Sequence, residues 1–106
     1  MYSINLTDQA ELDLNTTVDY YVSVLKANKA AVTFLDEIEA KFTLLSTDPL
    51  VYEIETDEYL KERKIRSVLV KNHMIFYVVD QNNQEVIVLR ILYARRNWLW
   101  LLRSSK

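Results

Sequence analysis

Between residues 8 and 45 the apolar positions recur every three or four residues, and from residue 65 to 92 they crowd instead into short β-rich runs. Leu14, Val18, Tyr21, Val22 and Leu25 form one stripe, of a helix starting near Gln9 and ending near Ala27. Asp8 and Glu11 stand three apart at its start, a capping arrangement. Ala31, Phe34, Leu35, Ile38, Phe42 and Leu45 form a second stripe, of a helix capped by Asn28. It stops at Asp48-Pro49, because proline disfavours α geometry in the residue before it. The short break between the two predicts an antiparallel hairpin whose stripes are core. Ahead of it, Tyr2–Leu6 alternates and reads as a strand.

From Ile65 onward, IRSVLV, HMIFYVVD and EVIVLRIL predict three strands. KN and QNNQ link them, turn-prone connections that favour antiparallel neighbours. The last strand is apolar on both faces except at Arg90, as expected of a central strand covered by helices. Residues 50–60 are acidic and read mostly as loop, and a short final helix is expected from Asn97. The order β-α-α-β-β-β predicts an α+β fold, with a helical hairpin packed on one face of a mainly antiparallel four-stranded sheet. A chain of 106 residues supports one such domain, spanning 1–106.

Composition removes several function classes. With no glycine, phosphate loops of the Walker or dinucleotide-binding kind are excluded, since their backbone takes conformations that only glycine tolerates. With no cysteine and one histidine, neither a disulfide framework nor a metal site is expected, and no cofactor. The opening residues carry three acids and no base, unlike a signal or transit peptide, and no apolar run is long enough to cross a bilayer. A cytoplasmic protein is expected. The net charge of −2 hides an asymmetry: residues 1–60 hold 3 Lys/Arg and 12 Asp/Glu, whereas residues 61–106 hold 10 and 3. A basic half concentrates phosphate-rich partners.

Within that half, Arg95 and Arg96 form a pair whose guanidinium forks match phosphate oxygens, though a solvated strand end has the same sequence. Lys61, Arg63, Lys64, Arg66 and Lys71 crowd the approach to the second strand. Joined to the C-terminal segment, they predict a single phosphate-facing groove. Arg90 interrupts an apolar strand and must reach a carboxylate, a groove or solvent. His73 alone has an unperturbed pKa suited to proton transfer, yet its place after the Lys71-Asn72 turn predicts an exposed strand-start residue. Tyr93 could stack on a base. The tail Trp98–Leu102 is too apolar for water, so it completes the core or forms a patch for a partner.

Four stretches carry a family resemblance: Tyr2, Ile4, Leu6, Thr7, Ala10, Asp13 and Leu14; FLDEIE at Phe34–Glu39; IRSVLVKNHMIFYVVD at Ile65–Asp80; and VIVLRILYARRNW at Val86–Trp98. In that order the chain resembles the RelE/ParE superfamily of toxins from bacterial type II toxin–antitoxin modules. The resemblance implies a toxin that arrests growth and is neutralised by a cognate antitoxin in a hetero-oligomer. Trp98, Trp100 and Leu101 are the candidate antitoxin contacts. RelE-like members cut mRNA on the ribosome without metal, and ParE-like members poison DNA gyrase.

Metal-free RNA cleavage needs a base, an acid and cations at the phosphate. If this chain is such an endoribonuclease, Arg66, His73, Tyr93, Arg95 and Arg96 are its candidate catalytic residues. Lys61, Arg63, Lys64, Lys71 and Arg90 would then contact phosphate or target. Two positions that are basic in the nucleases are Val68 and Met74 here. That tilts the resemblance to the gyrase-poisoning mode. A third reading, of a different class, is a non-toxic nucleic-acid-binding module whose basic half tracks phosphate.

Overall fold

The computed structural model describes residues 1–104. Its elements are β1 (Ser3–Leu6), α1 (Asp8–Asp19), a π-helical turn (Tyr20–Val24), α2 (Asn28–Thr47), α3 (Glu58–Glu62), β2 (Arg66–Val70), β3 (His73–Asp80), β4 (Glu85–Tyr93) and α4 (Trp98–Ser104). The sheet order is β1-β4-β3-β2. β1 runs parallel to β4, and the other two pairings are antiparallel. The α+β arrangement expected from the periodicity is the one formed.

Each face of the sheet has its own core. Beneath α1 and α2, Ala10, Phe34, Ile38 and Leu45 pack on Val68, Val70, Ile75, Tyr77, Val86, Val88 and Ile91. On the opposite face, Leu60 of α3 and Leu102 of α4 pack with Ile65, Phe76 and Leu92. This second layer explains why β4 is apolar on both sides. The hairpin covers one face as expected, and α3 and α4 cover the other.

β4 also carries a bulge. Phe76 faces Arg90 and Tyr77 faces Val88, which leaves Leu89 unopposed. The extra residue shifts the alternation, so Ile91 rather than Arg90 enters the hairpin core. β1 ends at Leu6 opposite Val88, and beyond that point the outer edge of β4 has no strand partner. Two α1 residues serve that edge instead. The Thr7 hydroxyl donates to the Leu89 carbonyl at 2.8 Å, and the Asp13 carboxylate accepts the Ile91 N–H at 3.0 Å.

Several local expectations are corrected. Thr7, not Asp8, caps α1, its Oγ1 accepting the Ala10 N–H at 3.1 Å. Its hydroxyl therefore works as donor and acceptor at once. Ala27 occupies the cap position of α2 without a side-chain bond, and Asn28 opens the helix. The segment expected as loop ends in α3, capped by Asp57, whose carboxylate accepts the Leu60 N–H at 3.2 Å. The first helix widens after Asp19, where the Leu25 N–H reaches back five residues to the Tyr20 carbonyl at 3.0 Å. That wider turn moves the stripe out of phase. Leu14, Val18 and Tyr21 reach the core, whereas Val22 and Leu25 are exposed.

Candidate functional site

The basic residues do not share one groove. Arg63 and Arg90 line a cleft of about 920 Å³ together with Thr7, Tyr59, Leu89 and Leu102. Arg96 lines a separate cleft of about 680 Å³ with Tyr20, Tyr21, Leu25, His73 and Tyr93. The single phosphate-facing groove expected from the sequence is thus divided between two clefts, because α3 and the β2–β3 turn lie at opposite ends of β2.

In the larger cleft the cations are already engaged. Arg90 Nε donates to Asp13 Oδ2 at 2.7 Å and Nη2 to Oδ1 at 2.9 Å. Both side chains are about nine-tenths buried. This bidentate pair is how a guanidinium is accommodated on an apolar strand. Of the two destinies open to Arg90, the structural ion pair is the one observed. Arg63 lies over the Tyr59 ring at 3.6 Å, and its Nη1 donates to the Tyr59 carbonyl at 3.0 Å. Lys61 and Lys64 are exposed beside it, and Lys64 holds a left-handed backbone at φ 55° that closes α3. Lys71, at the β2–β3 turn, pairs with Glu37 of α2 at 3.6 Å.

Arg66 is distant from the other candidate catalytic residues. It opposes Tyr77, four residues along β3 from His73, which is roughly 13 Å at a strand's rise. Its Nη1 donates to the Tyr52 carbonyl at 2.6 Å, strapping the 50–57 segment to the sheet. Glu55 reinforces the strap through the Ser67 hydroxyl. Beside it, Tyr77 is wholly buried and its hydroxyl has no hydrogen-bond partner among the described residues. Burial pushes its pKa up to about 12, a rise that the Arg66 charge opposes.

His73, Tyr93 and Arg96 do come together. His73 and Tyr93 are directly opposed on β3 and β4, their rings edge-on at 5.7 Å. Phe34 of α2 closes the other side of the imidazole at 4.9 Å. His73 is only 6% exposed, correcting the expectation of an exposed strand-start residue. Phe34 of the helical hairpin covers it, a long-range contact that the local pattern around His73 does not reveal. Its Nδ1 is buried without a hydrogen-bond partner among the described residues, and burial lowers its pKa from the usual histidine value. The ring is accordingly neutral at pH 7. Tyr93, Arg95 and Arg96 are exposed.

Among the nuclease-like positions, Val68 is buried under the hairpin and Met74 packs in the opposite core. In the tail, Trp98 stacks on Phe76 at 5.1 Å and Leu101 packs on the same cluster, so both serve the core. Trp100 alone of the three proposed antitoxin contacts is exposed, at 62%. Two residues that the sequence reading missed are Tyr20 and Asp13. Tyr20 lay off the apolar stripe of a helical pattern and gave no sign of lining a cleft, and Asp13 stood one position from an apolar stripe.

A family model of the ParE toxin of type II toxin–antitoxin systems, parDE, matches residues 4–98. The chain belongs to the ParE toxin family. Its fold is similar to that in a chromosomal ParDE toxin–antitoxin system from P. aeruginosa, with a TM-score of 0.67 and 18% identity over 90% of this chain and 98% of that one. It is also similar to the RelBE2 toxin–antitoxin complex from Mycobacterium tuberculosis, with a TM-score of 0.56 and 22% identity over 87% of this chain and 96% of that one. No curated protein sequence matches the chain. In this ParE-family toxin Tyr93 and Arg96 are exposed at the cleft beside the helical hairpin, and Arg63 is exposed at the other cleft.

Proposed function

We propose that this ParE-family toxin arrests growth by binding and poisoning DNA gyrase, without covalent chemistry of its own, and that a cognate antitoxin neutralises it. The observation that carries the reading is the separation of Arg66 from His73, Tyr93 and Arg96. General acid–base cleavage of RNA needs its base, its acid and its phosphate cations within hydrogen-bond reach of one phosphate. Arg66 is held by the Tyr52 carbonyl at the far end of β2. Val68 and Met74 contribute no charge, and the histidine is enclosed between Phe34 and Tyr93. What remains at the hairpin end is a half-apolar cleft with cations at its rim, which suits binding.

The family's association with antitoxins, and the toxin–antitoxin assemblies that share its fold, support a protein partner that masks the toxin. Exposed Trp100 is the tail residue best placed to meet such a partner. The test is a supercoiling assay with purified gyrase and purified toxin. Inhibition of supercoiling, with trapped double-strand breaks that added antitoxin prevents, is the expected result. Unimpaired supercoiling at toxin concentrations that arrest growth would overturn the gyrase reading.

A further inference from the structure

The cleft at the hairpin tip lacks a counterpart within the chain. His73, 6% exposed, lines it, and its enclosed Nδ1 has no hydrogen-bond partner among the described residues. Around it the wall is apolar and open: Tyr20 is 52% exposed and Leu25 48%, and Val24 and Val22 continue that surface along the π turn. The π turn exposes Val22 and Leu25 by breaking the stripe that buries the earlier part of the helix. Arg96 stands at the rim with Arg95 next to it in sequence; both are exposed, and neither has an ion-pair partner among the described residues. Lys26, in the hairpin connection, and Lys29, in the first turn of α2, are exposed as well. Asn72, Thr16 and Thr17 supply the remaining polar groups of the cleft.

A volume of about 680 Å³ takes one or two large side chains. The complement of such a surface is an apolar anchor beside a negative charge. Nucleic acid fits it poorly. A phosphate backbone is tracked by a row of cations, whereas Lys61, Arg63 and Lys64 lie by the other cleft and Lys71 is paired with Glu37. Phosphate would also leave Val24 and Leu25 uncovered. We infer that this cleft is where the toxin holds its protein target, seating an apolar or aromatic side chain of the target between Tyr20 and Tyr93 with an adjacent carboxylate on Arg96. The inference rests on the reading of the protein as a binding poison and adds the surface that does the binding.

The test uses two separate variants of the full chain, Arg96→Glu and Tyr20→Ser, under a repressible promoter, with and without the cognate antitoxin. Each is expected to raise colony counts after induction at least tenfold over the parent, with unchanged co-purification of antitoxin and an unchanged melting temperature. Arg96 is exposed at the rim, so its variant carries the test should Tyr20→Ser prove unstable. Undiminished growth arrest in a folded Arg96→Glu protein would overturn the proposal. So would loss of antitoxin binding, alone or together with toxicity, since the cleft would then seat the antitoxin. Loss of arrest accompanied by loss of mRNA cleavage would name RNA as the occupant and equally overturn it. Growth arrest reads the cleft whatever the target is. Gyrase inhibition by the parent with unaltered arrest by the variants sinks the cleft alone, and arrest lost in the variants of a toxin that never inhibits supercoiling sinks gyrase alone.

Discussion

Arg90 and Arg96 stand on the same run of sequence and carry the same guanidinium, yet the fold uses them in opposite ways. Arg90 is drawn into a bidentate pair with Asp13, nearly excluded from water, and helps hold α1 to the open edge of β4. Arg96 lies beyond the strand's end, exposed, at the rim of the cleft that His73 and Tyr93 line. The difference comes from where β1 stops. A four-residue β1 leaves the outer edge of the later part of β4 without a strand partner among the described residues, and Asp13 of α1 and its cap residue Thr7 bond to that edge instead. A cation beside that edge becomes structural, and one past it stays exposed.

The contrast is broken most forcefully at Asp13. Asp13→Ala removes the carboxylate that pairs with the largely buried Arg90 and accepts the Ile91 N–H, so a loss of about 3–5 kcal/mol is expected in urea unfolding. A loss under 1 kcal/mol would mean that Arg90 reaches water and belongs with Arg96. Next comes Thr7→Ala, which removes the α1 cap and the bond to the Leu89 carbonyl. About 1–2 kcal/mol should be lost by the same measurement.

A third prediction concerns pH. Burial lowers the folded-state pKa of His73 below 6.5, so below pH 6.5 the unfolded chain binds more protons than the native one. Stability contributed by the neutral ring is complete above that pH and declines as pH falls toward the lowered folded value. Unfolding midpoints of the parent and of His73→Gln, compared from pH 7 downward, should show a slope in the parent that the variant lacks. Equal slopes would place the imidazole in water. The smallest effect sharpens the other side of the comparison: Arg96→Ala should change stability by no more than about 0.5 kcal/mol, because no described partner depends on it.

Strands and helices were legible wherever one local rule acted alone. The β-rich runs after Ile65 and the α2 stripe are periodic enough to fix both type and face, and Asp48-Pro49 ends α2 as its stereochemistry requires. Misreadings arose where distant elements decide. His73 looks exposed until α2 lays Phe34 against it. Arg66 and His73 look adjacent along the sequence, but the antiparallel hairpin sends the start of β2 and the start of β3 to opposite ends. The π turn has no periodic signature, and α3 is a five-residue helix within an acidic stretch, too short to show one. The candidate site was therefore legible as a set of residue types, and its division into two clefts was not.

Whether the toxin binds or cuts is decided most directly by mapping the 5′ ends of cellular mRNA within minutes of induction, at an expression level that already stops growth. Unbroken transcripts, alongside double-strand DNA breaks, are the predicted result. New 5′ ends within translated codons, lost on replacing Arg66 or Arg96, would show that residues lying apart in this fold nonetheless cooperate in catalysis, and would contradict it.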